Sequence, residues 1–209
     1  HDDRVILLQF DSQVLDTAGG QGVERARGFI HQKHLGFDRQ GASYAQSLLL
    51  ASRKISDGVA WVKEQAAAGA DVEQAVEKGK SQFVGPELSG KMLGVIGLGA
   101  IGVLVANIAT KLGMTVFGYD PFLSVDGALS LSRLVHRAMD LETIYKNCDY
   151  ITLHVPQTPE TKGMFNEDAF HMMKGGVRIL NLARGTLVND DDMLAALDSG
   201  KVACYVTDF

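Results

Sequence analysis

Residues 93–102 read LGVIGLGAIG, with Gly97, Gly99 and Gly102 in the spacing G-x-G-x-x-G. Glycine-rich turns are common, so the neighbours give this one its meaning. The apolar run ending at Ile96 reads as a strand, a helix opens at about Ala100, and VFGYD closes a second strand on Asp120, 21 positions after Gly99. A strand, tight turn, helix and second strand ending in an acid form the arrangement that cradles a dinucleotide. Gly97 permits the turn, Gly99 lets a pyrophosphate approach the backbone, and Gly102 lets the helix pack close to the strand. The helix N-terminus then points free N–H groups at the phosphates. Asp120 would accept hydrogen bonds from ribose hydroxyls and repel a 2′-phosphate. The next basic residue, Arg133, comes 13 positions later, which favours NAD over NADP.

Outward from this turn the chain keeps a regular beat. Strand 92–96 is followed by helix 100–112, strand 114–119 and an irregular stretch to Met139. Asp140 then caps a helix ahead of strand 149–153. Asn166 caps EDAFHMMK, Gly175–Gly176 close it, strand 177–182 follows, and NDDDMLAALDSG forms a helix closed by Gly200. The last strand is VACYVTDF. Continuously apolar strands alternating with helices predict an α/β fold, a doubly wound parallel sheet covered on both faces. Ligands of such sheets sit at the carboxyl ends of the strands.

Before Lys91 the pattern is looser. RVILLQF (4–10) reads as one buried strand, and residues 11–41 show no clear period. ASYAQSLLLASRKISDGVAWVKEQAAA, from Ala42, carries apolar residues at helical spacing and predicts a long helix, with Asp57–Gly58 as the place where it would kink. Its apolar positions (Leu48, Leu49, Ala51, Ile55, Val59, Val62) exceed one narrow stripe, so a partner helix or subunit is expected to cover them. Asp71 caps a short helix through Glu77.

One residue stands out chemically. In RILNLARGTLVND (178–190), Asn181 and Arg184 arrive at the end of an inner strand. A guanidinium cannot lose its charge and is costly near a core without an anion to meet it. Arg184 therefore faces either an anionic ligand or an acid across the sheet edge, with Asp208 the candidate.

Composition narrows the partners. Of 209 residues, 46% are hydrophobic and 22% charged, which describes a soluble globular protein; 20 Lys and Arg against 25 Asp and Glu give a net charge of −5. With no basic block, nucleic acid and anionic membrane are not expected as partners. No apolar run reaches the length of a membrane span, and the N-terminus lacks the pattern of a secretion signal. Cys148 and Cys204 lie beside apolar runs and read as buried free thiols of a reducing, cytoplasmic compartment.

Three separated stretches carry a resemblance. LGVIGLGAIG with VFGYD, IYKNCDYITLHVPQTPETKGMFN, and MKGGVRILNLARGTLVN resemble signatures of the D-isomer-specific 2-hydroxyacid dehydrogenases, over about residues 42–209. KGKSQFVGPELSGKMLGVIGLGAIG, GYDPFLSVDGA and GKVACYVTDF most resemble the bacterial phosphoglycerate-oxidising branch of that family. The resemblance implies a Rossmann-type NAD-binding domain over 41–209, including the long helix near 42–65. It implies NAD-dependent oxidation of a small 2-hydroxy acid to a 2-oxo acid, here 3-phosphoglycerate to 3-phosphohydroxypyruvate at the entry to serine synthesis. A homodimer through this domain is implied too.

The same resemblance distributes roles. Ala100 and Ile101 would give backbone N–H groups to the pyrophosphate, and Asp120 would hold the ribose. His154, Val155 and Pro156 would wall the adenine side. Leu182, Ala183 and Arg184 would line the nicotinamide half, and Asp208 would take its carboxamide. Arg184 matches the family's catalytic arginine, which binds and polarises the substrate's carboxylate and carbonyl.

Two departures shape the expectation. The family's acid–base pair, a Glu and then a His, lies downstream of the TDF strand end, and the sequence ends at Phe209. No other histidine is a good stand-in: His1 is terminal, His136 falls in the irregular stretch, and His171 on a surface helix. His31 and His34 in HQKH have a spacing that could suit a metal, but solvated residues are the expectation. Residues 1–40 read as a shortened substrate-binding domain, in which AGGQGVERARG is at best a trace of the family's carboxylate-binding loop. The chain as given is thus expected to be a poor dehydrogenase. The alternative is an NAD(H)-binding regulatory module, like the corepressors related to this family, or a dimer in which the cofactor only stabilises the fold.

Overall fold

The structure, a computed structural model, describes residues 5–7, 48, 55–83 and 85–208. Seven strands form one sheet: β1 (Val5–Leu7), β2 (Met92–Ile96), β3 (Thr115–Tyr119), β4 (Val135–Arg137), β5 (Tyr150–Leu153), β6 (Val177–Asn181) and β7 (Val202–Thr207). Their order is β1-β7-β6-β5-β2-β3-β4, and every pairing is parallel. Parallel neighbours cannot be joined by hairpins, so helices make the crossovers. α1 (Ile55–Ala67) and α2 (Val72–Gly79) precede β2. α3 (Ala100–Lys111), α4 (Val125–Ser130), α5 (Leu141–Asn147), α6 (Glu167–Met172) and α7 (Asp190–Asp198) then follow β2 to β6 in turn.

Helices on both faces explain why the central strands are apolar without alternation. All four residues of β5 are buried, as are four of the five in β2. One core joins Ile151, Leu153, Ile179 and Tyr205 to side chains of α5, α6 and α7, among them Ile144, Phe170 and Leu197. The other joins Leu93, Val95, Val116 and Leu180 to Val103, Ala106 and Ala109 of α3, with Leu48 beside them. Gly94 lets α5 lie close on the sheet: a Cβ there would stand 2.4 Å from Ile144 Cγ2.

The helix starts follow the sequence. Asp71 accepts N–H bonds from Glu73 and Gln74, Asp140 from Thr143, Asn166 from Ala169, and Asn189 from Asp191 and Asp192. Such caps are worth about 1 kcal/mol each. Gly176 and Gly200 take positive φ of 76° and 75° after α6 and α7, as the glycine stops predict. Asp149 fastens the N-terminal ends of the central strands β5 and β2. One of its oxygens accepts the Met92 N–H and the other the Lys174 ammonium, each at 2.9 Å. Burial pushes its pKa up, but these bonds outweigh burial and hold the carboxyl below its ordinary value.

Two expectations change, and a third lies partly outside the described residues. The stretch from 120 to 139 is not irregular, because it holds α4, capped by Ser124, and the edge strand β4, which includes His136. α1 runs through Asp57–Gly58 without a break. Of the long helix near 42–65, the structure describes Leu48 and the part from Ile55; the remainder, most of strand 4–10, and His1, His31 and His34 lie outside the described residues. Leu48 is buried, whereas Val59 is 47% exposed. Cys148 and Cys204 are buried free thiols, pushed by burial up to about 12 and about 11.

Candidate active site

The strand order reverses between β2 and β5, since the chain runs from β2 to β3 and β4 on one side and returns to β5 on the other. At such a switch point the loops leaving the two strands part and open a crevice. Here these loops begin at Gly97 and His154. The His154 N–H bonds to the Ile96 carbonyl and the Gly97 N–H to the Tyr119 carbonyl, both at 2.8 Å. Gly97 has φ +93°, and a Cβ there would come within 2.7 Å of the His154 backbone. A Cβ on Gly102 would lie 1.9 Å from the Gly97 carbonyl oxygen. These two glycines are demanded by packing.

Gly99 differs, because a Cβ on it would meet nothing within 4 Å. It stands at the N-cap of α3 and makes no side-chain cap bond, so the leading N–H groups of the helix, those of Ala100, Ile101 and Gly102, are left for another partner. Open space over a bare helix start is the cradle a pyrophosphate fills. Asp120, at the end of β3, aims its carboxylate at the same turn: one oxygen accepts the Leu98 N–H and the other the Phe122 N–H, each at 2.8 Å. Each oxygen keeps a free lone pair. The donors and the acid fit a dinucleotide.

Beside this cradle lies a cleft of about 300 Å³ lined by Ile101, His154, Val155, Pro156, Leu182, Ala183 and Arg184. Pro156 is held by its carbonyl, which accepts the Thr161 hydroxyl at 2.7 Å. The imidazole Nε2 of His154 lies 2.9 Å from the Thr152 hydroxyl, and burial lowers its pKa to about 4. His154 is therefore neutral at pH 7, leaving Arg184 as the one full charge among the described residues that line the cleft. The exposed Arg184 guanidinium donates from Nη1 to the Ala183 carbonyl at 2.6 Å and has no carboxylate partner among the described residues. The acid across the sheet edge is not its partner. Asp208, exposed after β7, lies on the same edge but outside the cleft's lining.

Three polar partners here were not assigned from sequence. Thr152 meets His154, while Asn181 meets both the Tyr205 hydroxyl and the loop of Arg184. Asn181 is fully buried; its oxygen accepts the N–H groups of Ala183 and Arg184 at 3.2 and 3.3 Å. Its nitrogen donates to the Arg184 carbonyl at 2.9 Å and to the Tyr205 hydroxyl at 3.2 Å. The only signal in the sequence was an amide at the end of an apolar strand.

Parallel sheet, switch-point crevice, bare helix start and acid together define a dinucleotide-binding domain. Residues 45–209 match the family described as D-isomer specific 2-hydroxyacid dehydrogenase, NAD binding domain, and the chain belongs to that family. Its cofactor is NAD. The chloroplastic D-3-phosphoglycerate dehydrogenase 2 of Arabidopsis thaliana is 38% identical over 149 residues, 70% of this chain and 23% of that protein. D-3-phosphoglycerate dehydrogenase of Bacillus subtilis is 40% identical over 127 residues, 61% of this chain and 24% of its own. The structure of D-lactate dehydrogenase from Aquifex aeolicus, complexed with NAD and lactic acid, aligns with a TM-score of 0.64 at 29% identity. That alignment covers 81% of this chain and 47% of the other. The matched region is about a quarter of the length of the curated relatives.

Proposed function

We propose that this chain is the cofactor-binding part of a dehydrogenase that oxidises 3-phosphoglycerate to 3-phosphohydroxypyruvate, feeding serine synthesis. The observation that carries the reading is one cleft in which a bare helix start and a guanidinium without an acid partner among the described residues converge. The substrate assignment draws on the relatives' names, D-3-phosphoglycerate dehydrogenase at 38% and 40% identity.

The residues divide the work. The N–H groups of Ala100 and Ile101 hold the pyrophosphate over Gly97, Gly99 and Gly102, and Asp120 holds the adenosine ribose. His154, Val155 and Pro156 wall the adenine side, Leu182 and Ala183 line the nicotinamide half, and Asp208 takes its carboxamide. A bound NAD would supply the acceptor for the hydride of the substrate's carbinol carbon, and the hydroxyl proton would go to a base outside the lining of this cleft. Arg184 grips the substrate's carboxylate with its planar fork and draws electron density from the developing carbonyl. Ile101, Val155, Pro156 and Leu182 give the cleft apolar walls that exclude water, and the neutral His154 adds no charge to compete with Arg184. Residues 1–40 belong to a substrate-binding domain, and two copies in the cytoplasm pair through α1.

The test is a titration of the chain with NADH, followed by nicotinamide fluorescence, with NADPH alongside. Saturable binding that prefers NADH is expected. In the whole natural protein, 3-phosphoglycerate should reduce NAD faster than D-lactate or formate does. Absence of NADH binding removes the reading, and faster turnover of D-lactate reassigns the substrate.

A further inference from the structure

We infer that Asn181 is a positioning residue for Arg184, braced from the neighbouring strand by Tyr205; this rests on the reading of Arg184 as the carboxylate-binding group. β6 ends at Asn181, and the backbone then leaves the sheet to carry Arg184 into the cleft. A loop leaving a sheet loses its ladder partners, and its N–H and C=O groups need others. Asn181 supplies three of them: its oxygen takes the Ala183 and Arg184 N–H groups and its nitrogen donates to the Arg184 carbonyl, at 3.2, 3.3 and 2.9 Å. Both polar backbone groups of Arg184 are thus held by one side chain.

That side chain is itself fixed. Asn181 has no exposed surface, and its remaining N–H reaches the Tyr205 hydroxyl at 3.2 Å, from a β7 side chain that is 6% exposed. Swapping the amide's oxygen and nitrogen would set two donors against two backbone donors, so the contacts fix its orientation as well. The guanidinium, by contrast, is exposed and, among the described residues, tethered only to the Ala183 carbonyl. The rigid part of the arrangement is therefore the Arg184 backbone, and a misplacement of 1 Å at such a group is costly in a binding site. Asn181 does not line the cleft, so its effect passes through Arg184.

The experiment uses the protein saturated with NADH and titrated with oxalate, a small dicarboxylate that a guanidinium fork can grip. Wild type, Asn181→Ala, Arg184→Ala and the double variant are compared, with Tyr205→Phe as a change that removes one oxygen and leaves the ring in the core. Asn181→Ala is expected to weaken oxalate about tenfold, Arg184→Ala more, and the double variant no more than Arg184→Ala alone. Tyr205→Phe should weaken it about threefold, and that loss too should vanish in the Arg184→Ala background. Wild-type affinity in both Asn181→Ala and Tyr205→Phe overturns the inference. So does a double variant, or a Tyr205→Phe change, whose loss multiplies with that of Arg184→Ala. Oxalate binding that ignores Arg184→Ala, or is absent from wild type, overturns the underlying reading of Arg184 and the inference with it.

Discussion

The carboxylate of Asp120 is bonded to the glycine turn: its Oδ2 accepts the Leu98 N–H at 2.8 Å, one residue past Gly97. The acid that would hold the ribose thus also holds the backbone approaching the pyrophosphate. With Oδ1 taken by the Phe122 N–H, both oxygens meet donors. Asp120→Asn is then not conservative, because the amide must turn its NH₂ toward one of two N–H groups. We expect a loss of about 1–2 kcal/mol in urea unfolding, together with weaker NADH binding and less discrimination against NADPH. Unchanged stability would show that the turn does not depend on this bond.

The glycines separate packing from binding. Gly102→Ala drives a Cβ to within 1.9 Å of the Gly97 carbonyl oxygen, and should cost about 3 kcal/mol or more, or prevent folding. Gly99→Ala meets nothing within 4 Å, at a φ of −71° that alanine adopts freely. Its stability should stay within about 0.5 kcal/mol of wild type, since lower unfolded-state entropy offsets a poorer N-cap. Its methyl occupies the phosphate space, so NADH affinity should fall at least tenfold. Equal NADH affinity in a folded Gly99→Ala would place the phosphates elsewhere.

The contrast between these glycines marks how far the sequence could be read. Spacing located the turn, and apolar runs located β2, β5, β6 and β7, which are buried along nearly their whole length and need no alternation, as well as β3, where half-buried and buried residues alternate. Capping side chains located the starts of α2, α5, α6 and α7, since a cap acts on N–H groups two or three residues away. β4 and α4 were missed because three residues with one half-buried side chain, and six with a central Gly127, carry no period. Every residue lining the cleft could be named from motif resemblance. What joins Asn181 to Tyr205, or Asp120 to Leu98, is separated by 24 and 22 residues and exists only once the strands are in register.

His154 makes the cleft sensitive to acid. Burial lowers its pKa from 6.5 to about 4, so between those values the unfolded chain binds a proton that the folded chain refuses. Stability should therefore be fully present above about pH 6.5, decline as the pH falls toward 4, and lose nothing further to this group below that. The full span is worth about 3 kcal/mol. His154→Gln should flatten this part of the curve in denaturant unfolding measured from pH 7 to 4. A slope unchanged in the variant would assign the acid sensitivity to other groups.

Arg184→Lys tests the fork rather than the charge. The guanidinium is exposed and, among the described residues, bonds only to the adjacent Ala183 carbonyl at 2.6 Å, so the change should cost less than about 0.5 kcal/mol in stability. A lysine keeps the positive charge in a cleft where His154 is neutral, but offers a point rather than two parallel N–H donors. A bidentate charged bond is worth about 1.5–3 kcal/mol, which corresponds to a loss of about 10- to 100-fold in kcat/KM for the 2-hydroxy acid in the whole protein. The loss should fall on substrate far more than on NADH, because the first turn of α3 and Asp120 are untouched. If NADH affinity and kcat/KM fell together, Arg184 would be shaping the cofactor pocket. If neither fell, the carboxylate would be held by another group.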